Sequence, residues 1–113
     1  MNKRLVGSEY EALAVSYMEE HGIQILARNY RCRQGEIDII GKEDQYLLFV
    51  EVKYRKNLQA GYPSEAVTVA KQKRIYQSAR YYLYENHLSE DIPIRFDVVA
   101  ILGKEVQYIR NAF

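Results

Sequence analysis

Two apolar segments separated by a polar break constrain the fold of this chain more than any other feature. The first segment is 35–40 and the second is 46–53, and both are rich in β-branched and large apolar residues, a composition typical of strands. The break at 41–45 contains glycine and aspartate, which favour turns. The sequence therefore predicts a β-hairpin over residues 35–53.

A tight turn would fix the register of this hairpin. If the turn is centred on Asp44 and Gln45, Glu43 lies opposite Tyr46. One face of the hairpin then carries the pairs Ile37–Val52 and Ile39–Val50. The other face carries the pairs Ile40–Phe49, Asp38–Glu51 and Glu36–Lys53. A slip of one residue would mix the two faces, so the wholly apolar first face supports this register.

Asp38 and Glu51 are unusual residues to find opposite each other in an apolar hairpin. Directly opposed side chains have Cβ atoms about 4.5–5.5 Å apart, and like charges so placed are destabilising. Two such carboxylates would share a proton or surround a cation. Lys53 lies two residues after Glu51, on the same face of its strand. A divalent metal and a phosphodiester require this combination of charges, so the three residues are predicted to form a site.

The same residues carry a resemblance to a known superfamily. Segments 35–38 and 49–53 read Gly-Glu-Ile-Asp and Phe-Val-Glu-Val-Lys, and they resemble the core of the PD-(D/E)xK nucleases. In that core, an Asp and a Glu-x-Lys on the next strand hold the catalytic metal. One departure is that Ile37, and not a proline, precedes Asp38. The resemblance implies a restriction-endonuclease-like fold and a DNA substrate.

Nearly the whole chain is similar to the YraN family of small bacterial proteins, which is related to the archaeal Holliday junction resolvases. The similarity includes Arg28–Arg31 before the hairpin and Arg95–Val99 after it. It implies one nuclease-like domain over residues 1–113 and branched or junction DNA as the substrate. By analogy with resolvases, which cut two strands symmetrically, it also implies a homodimer.

Length, charge and cysteine content narrow the class of protein. A chain of 113 residues has room for one domain. The net charge of +1 does not steer the whole chain to nucleic acid, so DNA binding would depend on local basic patches. Cys32 is the only cysteine, which excludes an intrachain disulfide and a cysteine zinc site. No apolar run approaches the roughly 20 residues of a membrane span and no signal peptide is visible, so we expect a soluble cytoplasmic protein with no membrane partner.

Residues 8–21 are predicted to form a helix that ends at Gly22. Ser8 and Glu11 have the spacing of a capping box, in which both side chains satisfy free amides at the start of a helix. The resemblance to resolvases implies another role, because a Glu of their first helix reaches the metal site and Glu11 stands in the matching position. Both interpretations of Glu11 remain open from the sequence.

Basic residues flank the hairpin on both sides. A strand over Ile23–Tyr30 leads to a short loop that contains Arg31 and Arg33, and Arg55 follows the second arm. Guanidinium groups suit phosphate oxygens, so these three arginines are candidate DNA contacts. The alternative is an ordinary solvated loop.

A long helix is predicted from Ser64, an N-cap residue type, to about His87. Lys71 and Gln72 lie early in this helix and would contact the scissile strand if they point to the active-site edge. The alternative is a solvated charged face with tyrosines packed on the sheet. The tyrosines of this helix could equally serve a dimer contact.

Two further strands, Ile94–Leu102 and Glu105–Ile109, follow the long helix, and the second is expected at a sheet edge. Asp97 is the odd residue of the first strand, and an ion pair with Arg95 or another arginine would explain it. The order of elements indicates an α/β or α+β domain, with a mixed five-stranded sheet flanked by helices. The crossover through the long helix would let the Ile94 strand run parallel to an earlier strand.

Three hypotheses for the function follow from these patterns. The first is an endonuclease dependent on Mg²⁺ or Mn²⁺, in which Lys53 acts beside the phosphate. Its metal ligands would be Asp38, Glu51, Glu11 and the carbonyl of Val52. The second is a non-catalytic nucleic-acid-binding module of the same fold that acts with a partner protein. The third is a structural ion triad. The intact set of core residues favours the endonuclease.

Overall fold

A computed structural model describes residues 3–57 and 67–113, with side chains from residue 9 onward. Within these ranges, no helix is long and apolar enough to cross a membrane. Every helix and strand that the sequence predicts is present, although several bounds differ. In chain order they are α1 (Lys3–Glu20), β1 (Gln24–Cys32), β2 (Gly35–Glu43), β3 (Tyr46–Arg55), α2 (Val69–Glu85), β4 (Ile94–Leu102) and β5 (Glu105–Ile109).

The five strands form one mixed sheet in the order β1-β2-β3-β4-β5. Neighbouring strands are antiparallel except β3 and β4, which run parallel. A parallel pair needs a crossover connection, and α2 lies in that connection. The predicted α/β domain, its mixed five-stranded sheet, the parallel crossover and the edge position of β5 are therefore confirmed.

The two helices cover opposite faces of the sheet. Leu48 and Val50 of β3 pack in the apolar cluster that contains α1, whereas Leu47 and Phe49 pack in the cluster that contains α2. Successive side chains of a strand point to opposite faces, and all four of these side chains are buried. By the same alternation, Glu51 belongs to the face that α2 covers.

The hairpin of β2 and β3 has the predicted tight turn. Asp44 has a φ of 53°, in the left-handed region that aspartate tolerates better than most residues. The register is also confirmed over the paired residues, which are Glu43–Tyr46, Lys42–Leu47, Gly41–Leu48, Ile40–Phe49 and Ile39–Val50.

The first helix begins earlier than the sequence predicts. Because α1 starts at Lys3, Ser8 lies inside the helix. Only the first amides of a helix need a cap, so the predicted capping box of Ser8 and Glu11 is wrong. Capping therefore does not explain the presence of Glu11.

The long helix begins later than predicted. Thr68 is the N-cap of α2, and its side chain accepts a hydrogen bond from the amide of Lys71 at 3.1 Å. The predicted cap, Ser64, lies outside the described residues. The helix also ends at Glu85, slightly before the predicted His87. The later start places Lys71 in the first turn of α2.

Asp97 is fully buried, and its predicted ion pair with Arg95 is confirmed. Arg95 donates to both carboxylate oxygens through Nε, at 2.9 and 3.1 Å, and to Oδ2 through Nη2 at 2.9 Å. The Tyr108 hydroxyl and the Asn111 amide also donate to Asp97. Arg95 bonds Glu43 at 2.8 Å as well. This network ties β4 and the C-terminal residues to the turn end of the hairpin.

Candidate functional site

Asp38 lies where the pairing of β2 with β3 ends. The ladder stops at Ile39–Val50, and beyond it Asp38 Oδ2 accepts a hydrogen bond from the backbone amide of Val52 at 2.8 Å. The carboxylate thus takes the place of a main-chain acceptor. The predicted direct pairing of Asp38 with Glu51 is not part of the ladder, yet Asp38 is bonded to the strand that carries Glu51.

The side-chain alternation of β2 breaks next to Asp38. The sequence predicts Ile37 and Ile39 on one face, but Ile37 packs in the α2 cluster and Ile39 in the α1 cluster. The break coincides with the end of the β2–β3 ladder. On the other side of β2, Asn29 lies opposite Asp38, between the pairs Arg28–Ile39 and Tyr30–Ile37, and has a left-handed backbone with a φ of 52°. The prediction that Ile37 lies opposite Val52 on the Ile39 face is therefore wrong.

Glu51 is a buried carboxylate with two ammonium groups around it. Its side chain is 5% exposed, and Oε1 lies 2.6 Å from Lys71 Nζ and 3.6 Å from Lys53 Nζ. Lys53 comes from the same strand, as the sequence predicts, and Lys71 reaches over from the first turn of α2. The predicted orientation of Lys71 towards the site is therefore observed.

The charge of Asp38 is strongly perturbed. Burial is the largest cause and the Glu51 carboxylate is the second, and together they raise the pKa of Asp38 from the ordinary 3.8 to about 7. The bond from the Val52 amide opposes the rise, and the charge of Glu11 adds to it. The ionised form of Asp38 is therefore disfavoured at neutral pH, and a nearby cation would stabilise it.

The pKa values of the two lysines shift in opposite directions. Burial lowers the pKa of Lys53, and the Lys71 ammonium lowers it further, against the charges of Glu51 and Asp38. Burial is the largest effect on Lys71 and acts to lower its pKa, but the hydrogen bonds to Glu51 and Lys53 and the charges of Glu51 and Asp38 together outweigh it, and the pKa is raised. Lys71 is therefore the principal counter-ion of Glu51.

Glu11 of α1 lies at the same end of the sheet. Its carboxylate faces Asn29, whose side-chain amide donates to Oε1 at 3.0 Å and to Oε2 at 3.1 Å when Nδ2 is oriented towards it. Burial raises the pKa of Glu11, and Arg28 opposes this rise. Because the Glu11 charge also acts on Asp38, the structure brings the predicted third carboxylate towards the other two.

Asn29 is a site residue that the sequence interpretation missed. Its side-chain amide bonds Glu11, and its left-handed backbone lies opposite Asp38. The sequence did contain a signal, because Asn29 lies in the middle of a predicted strand and asparagine is depleted in strands. Asparagine tolerates the left-handed region better than most residues, so an irregular backbone could have been expected at this position.

The sequence predicts that Glu36 lies opposite Lys53, but the two side chains do not pair. It forms an exposed ion pair with Arg31 at 3.6 Å, and Lys53 pairs with Glu51 instead. Arg31 also belongs to β1 and not to a loop. An exposed ion pair of this kind contributes little to stability.

The other predicted DNA contacts, Arg33, Gln72 and Arg55, differ in their exposure and in their hydrogen bonds. Arg33 is exposed in the turn between β1 and β2. Gln72 donates to the carbonyl of Val67 at 3.1 Å, which holds it at the start of α2. Arg55 donates from Nη1 to the carbonyl of Tyr54 at 3.0 Å, and its buried Nε has no hydrogen-bond partner among the described residues. Only Arg33 of these three presents an exposed, basic side chain.

The carboxylates fit a hard divalent ion with an incomplete protein shell. Within residues 3–57 and 67–113, no group of three or more His, Cys, Asp or Glu side chains converges closely enough to hold a metal alone. Asp38 and Glu51 do act on each other, and the Lys71 ammonium lies against Glu51 where a cation is favourable. Mg²⁺ is commonly held by one or two carboxylates, with waters and substrate phosphates as its other ligands. The residues present therefore supply two oxygen ligands of the type that Mg²⁺ and Mn²⁺ prefer, but not a complete shell.

Comparison with known proteins gives the family of the chain. The sequence model of the uncharacterised protein family UPF0102 matches residues 10–101. A UPF0102 protein of Lachnoclostridium phytofermentans is 56% identical over 113 residues, which is 100% of this chain and 96% of the relative. A UPF0102 protein of Clostridioides difficile is 45% identical over 115 residues, with 100% of both chains covered. One from Vibrio parahaemolyticus is 41% identical, over 98% of this chain and 93% of the relative. The chain therefore belongs to the UPF0102 family, the YraN family of small bacterial proteins.

Proposed function

We propose that this protein is a metal-dependent endonuclease that hydrolyses phosphodiester bonds in DNA. The observation that carries the proposal is the geometry of the two carboxylates: Asp38 accepts a bond from the Val52 amide at 2.8 Å, next to the buried Glu51, whose carboxylate lies 3.6 Å from the Lys53 ammonium. The raised pKa of Asp38 agrees with this geometry. Two carboxylates that disfavour each other's charge do not stabilise a fold. They do suit a divalent ion that acts on a phosphate.

Each residue of the site has a role in this proposal. Asp38 and Glu51 would hold Mg²⁺ or Mn²⁺, and Glu11 and the Val52 carbonyl are further candidate ligands. The bound ion would supply a water of lowered pKa and positive charge for the phosphate. The Val52 amide keeps the Asp38 carboxylate in place. Lys53, beside Glu51, can donate a hydrogen bond to a phosphate oxygen and offset its negative charge.

Basic side chains around these carboxylates would position the DNA. Lys71 is 38% exposed, so its ammonium can turn from Glu51 to a phosphate of an incoming strand. Arg31 of β1 and Arg33 of the turn that follows it would contact further phosphates. The resemblance to junction resolvases makes branched DNA the first substrate to test, with a homodimer as the acting species and the cytoplasm as its location.

Metal binding is the experiment that tests the proposal without knowledge of the substrate. Calorimetry with Mg²⁺ and with Mn²⁺ should detect binding to the wild-type protein and at least about tenfold weaker binding to Glu51→Gln, because a ligand oxygen loses its charge. Glu105→Gln, which changes an exposed carboxylate of β5, is the matched control and should bind like the wild type.

Two results of this experiment would contradict the proposal. One is equal ion affinity in the wild type and Glu51→Gln. The other is no binding of either ion at millimolar concentration, both alone and with a non-hydrolysable DNA that supplies phosphate ligands.

Lys71 should compete with the metal for Glu51. We expect Lys71→Met to bind Mn²⁺ about tenfold more tightly in the absence of DNA, because a unit charge a few ångströms away is removed. The measurement is the same calorimetry, and Lys73→Met is the control because Lys73 is exposed on the same helix. An unchanged affinity in Lys71→Met would show that the ion does not approach Glu51.

A second candidate function is nucleic-acid binding without catalysis. It is favoured by the 2.6 Å contact of Lys71 with Glu51, because an ion pair of this kind can neutralise the carboxylate without a metal. Such a module would act with a partner protein. Substitution of Asp38 by Asn separates the two candidates, since only an endonuclease depends on that carboxylate for activity.

A further inference from the structure

One side of α2 faces away from the sheet and combines basic and aromatic side chains. The apolar side of the helix is buried against the sheet through Ile75, Ala79 and Leu83. Exposed residues three, four and seven positions apart share the opposite side. We call this side the outer face of α2, and it consists of Lys73, Arg74, Gln77, Arg80, Tyr81 and Tyr84.

The C-terminal half of the outer face forms an open depression of about 530 Å³. Tyr84 is 77% exposed and Tyr81 is 38% exposed. Their ring centroids lie 6.2 Å apart with an interplanar angle of 42°. The depression also contains polar side chains, from Gln34, Gln77, Arg80 and Glu90.

The turn between β1 and β2 is packed directly on this helix. A Cβ atom added to Gly35 would lie 3.2 Å from Ser78 Oγ and 3.5 Å from Arg74 Cβ. A glycine permits this close approach of backbone and helix. The contact brings the exposed Arg33 and Gln34 to the outer face of α2. Two separate segments of the chain therefore build one surface.

The balance of charges on this surface favours a polyanion. Its basic side chains are Arg33, Lys73, Arg74 and Arg80. Glu90 is the acidic residue of the depression, and its carboxylate is bonded to Arg80 Nε at 3.2 Å. Both partners are largely exposed, so the ion pair is weak and leaves the Arg80 guanidinium able to contact phosphate. These side chains therefore carry net positive charge beside two exposed rings.

We propose that the outer face of α2 and the adjoining turn bind an unpaired DNA strand that leaves the catalytic site. This inference rests on the proposed endonuclease function and gives its substrate a single-stranded portion. Nucleobases stack on exposed aromatic rings when their own faces are free, while basic side chains follow the phosphates. A duplex keeps its base faces stacked and could use only the charges of this surface.

The surface and the carboxylates lie on different sides of the same helix. Lys71, in the first turn of α2, contacts Glu51, and the outer face begins within the next turn. Tyr84 is thirteen positions after Lys71, which corresponds to about 20 Å along a helix. A strand that leaves the site at Lys71 would therefore pass round α2, by way of Arg74, to reach the exposed tyrosines.

The experiment measures binding of a fluorescein-labelled oligothymidine by anisotropy in EDTA, with full-length protein. We expect Tyr81→Ala and Tyr84→Ala each to weaken binding about tenfold, which corresponds to about 1.4 kcal/mol of lost stacking. Tyr84→Phe should bind like the wild type because it keeps the ring. Tyr46→Ala, which removes another exposed tyrosine at the start of β3, is the control outside the surface.

The charged part of the surface has its own test. Arg80→Gln should lower the slope of the logarithm of affinity against the logarithm of salt concentration by about 0.7, the value for one phosphate contact on a single strand. Lys104→Gln, which removes an exposed charge in the turn between β4 and β5, should leave the slope unchanged.

Three outcomes distinguish this inference from the function on which it rests. Wild-type affinity in both tyrosine-to-alanine variants would overturn the inference, while metal-dependent cleavage by the same variants would keep the endonuclease. Loss of a dimer in these variants, by sedimentation, with unchanged oligothymidine binding would assign the surface to a second copy and also overturn the inference. Tyrosine-dependent binding together with no cleavage of any DNA would support the surface and overturn the endonuclease.

Discussion

Replacement of Asp38 by Asn should abolish DNA cleavage and leave DNA binding intact. A neutral amide can still accept the hydrogen bond from the Val52 amide, so the local structure is kept, but it is a poor ligand for a hard divalent ion. We expect cleavage of junction, flap or nicked DNA with Mg²⁺ or Mn²⁺ to fall at least about 100-fold, as expected when electrostatic stabilisation of a transition state is removed. Binding, measured by anisotropy in EDTA, should stay within about twofold, because Asp38 carries no positive charge for phosphate.

The same substitution should stabilise the protein at alkaline pH. The pKa of Asp38 is about 7 in the folded protein against an ordinary 3.8, so the folded state holds a proton that the unfolded state has released. Stability therefore falls as pH rises from about 4 to about 7 and stays reduced above that range. The difference in pKa corresponds to a cost of up to about 4 kcal/mol. Asp38→Asn removes this cost, which chemical denaturation at pH 5 and pH 8 would measure.

These two measurements separate the three interpretations of the carboxylates. An endonuclease loses cleavage and gains stability at pH 8 in Asp38→Asn. A protein that only binds DNA changes in neither cleavage nor binding. A structural ion triad would lose stability, and that result would contradict the proposed site. Asp91→Asn, at an exposed position, is the control for a simple loss of negative charge.

The largest loss of stability should come from Asp97→Asn. Asp97 is fully buried and accepts hydrogen bonds from Arg95, Tyr108 and the amide of Asn111. An amide in its place turns an NH₂ group towards other donors and leaves the buried Arg95 with less compensation. Disruption of a buried ion pair on one side costs about 3–5 kcal/mol. We therefore expect the free energy of unfolding to fall by that amount in urea denaturation.

A milder variant keeps this prediction testable if Asp97→Asn does not fold. Tyr108→Phe removes only the hydroxyl that donates to Asp97 and should cost about 1–2 kcal/mol. Asp91→Asn should stay within about 0.5 kcal/mol of the wild type, as is usual for exposed positions. Equal stability of Tyr108→Phe and the wild type would show that the network does not hold the C-terminal residues to the sheet.

The local parts of the fold could be predicted from the sequence because local chemistry decides them. The hairpin register depends on period-two alternation and on one turn around Asp44, and both are visible in a short window of sequence. The crossover also follows from the order of elements. The face of Ile37 could not be predicted in this way, because the alternation of β2 breaks at Asp38, where its pairing with β3 ends.

The start of each helix and the partner of Glu51 depended on non-local packing. Ser64 and Thr68 are both good N-cap residues, and the sequence alone offers no reason to choose Thr68, the observed cap. From the sequence, the orientation of Lys71 towards the site edge was therefore only one of two alternatives. Its contact with Glu51 follows from the docking of α2 on the sheet, which composition and spacing do not encode.

The parallel pairing of β3 with β4 has a consequence for the newly made chain. Phe49 of β3 pairs with Phe96 of β4, so the strand that completes the centre of the sheet is synthesised much later than the hairpin. Until then, the nascent chain presents an apolar strand with one unpaired edge, which is a template for association with other chains. Because this closing contact is distant in sequence, folding should be slow for a domain of this size. The central strand that carries Glu51 is thus the segment that most needs protection on the ribosome.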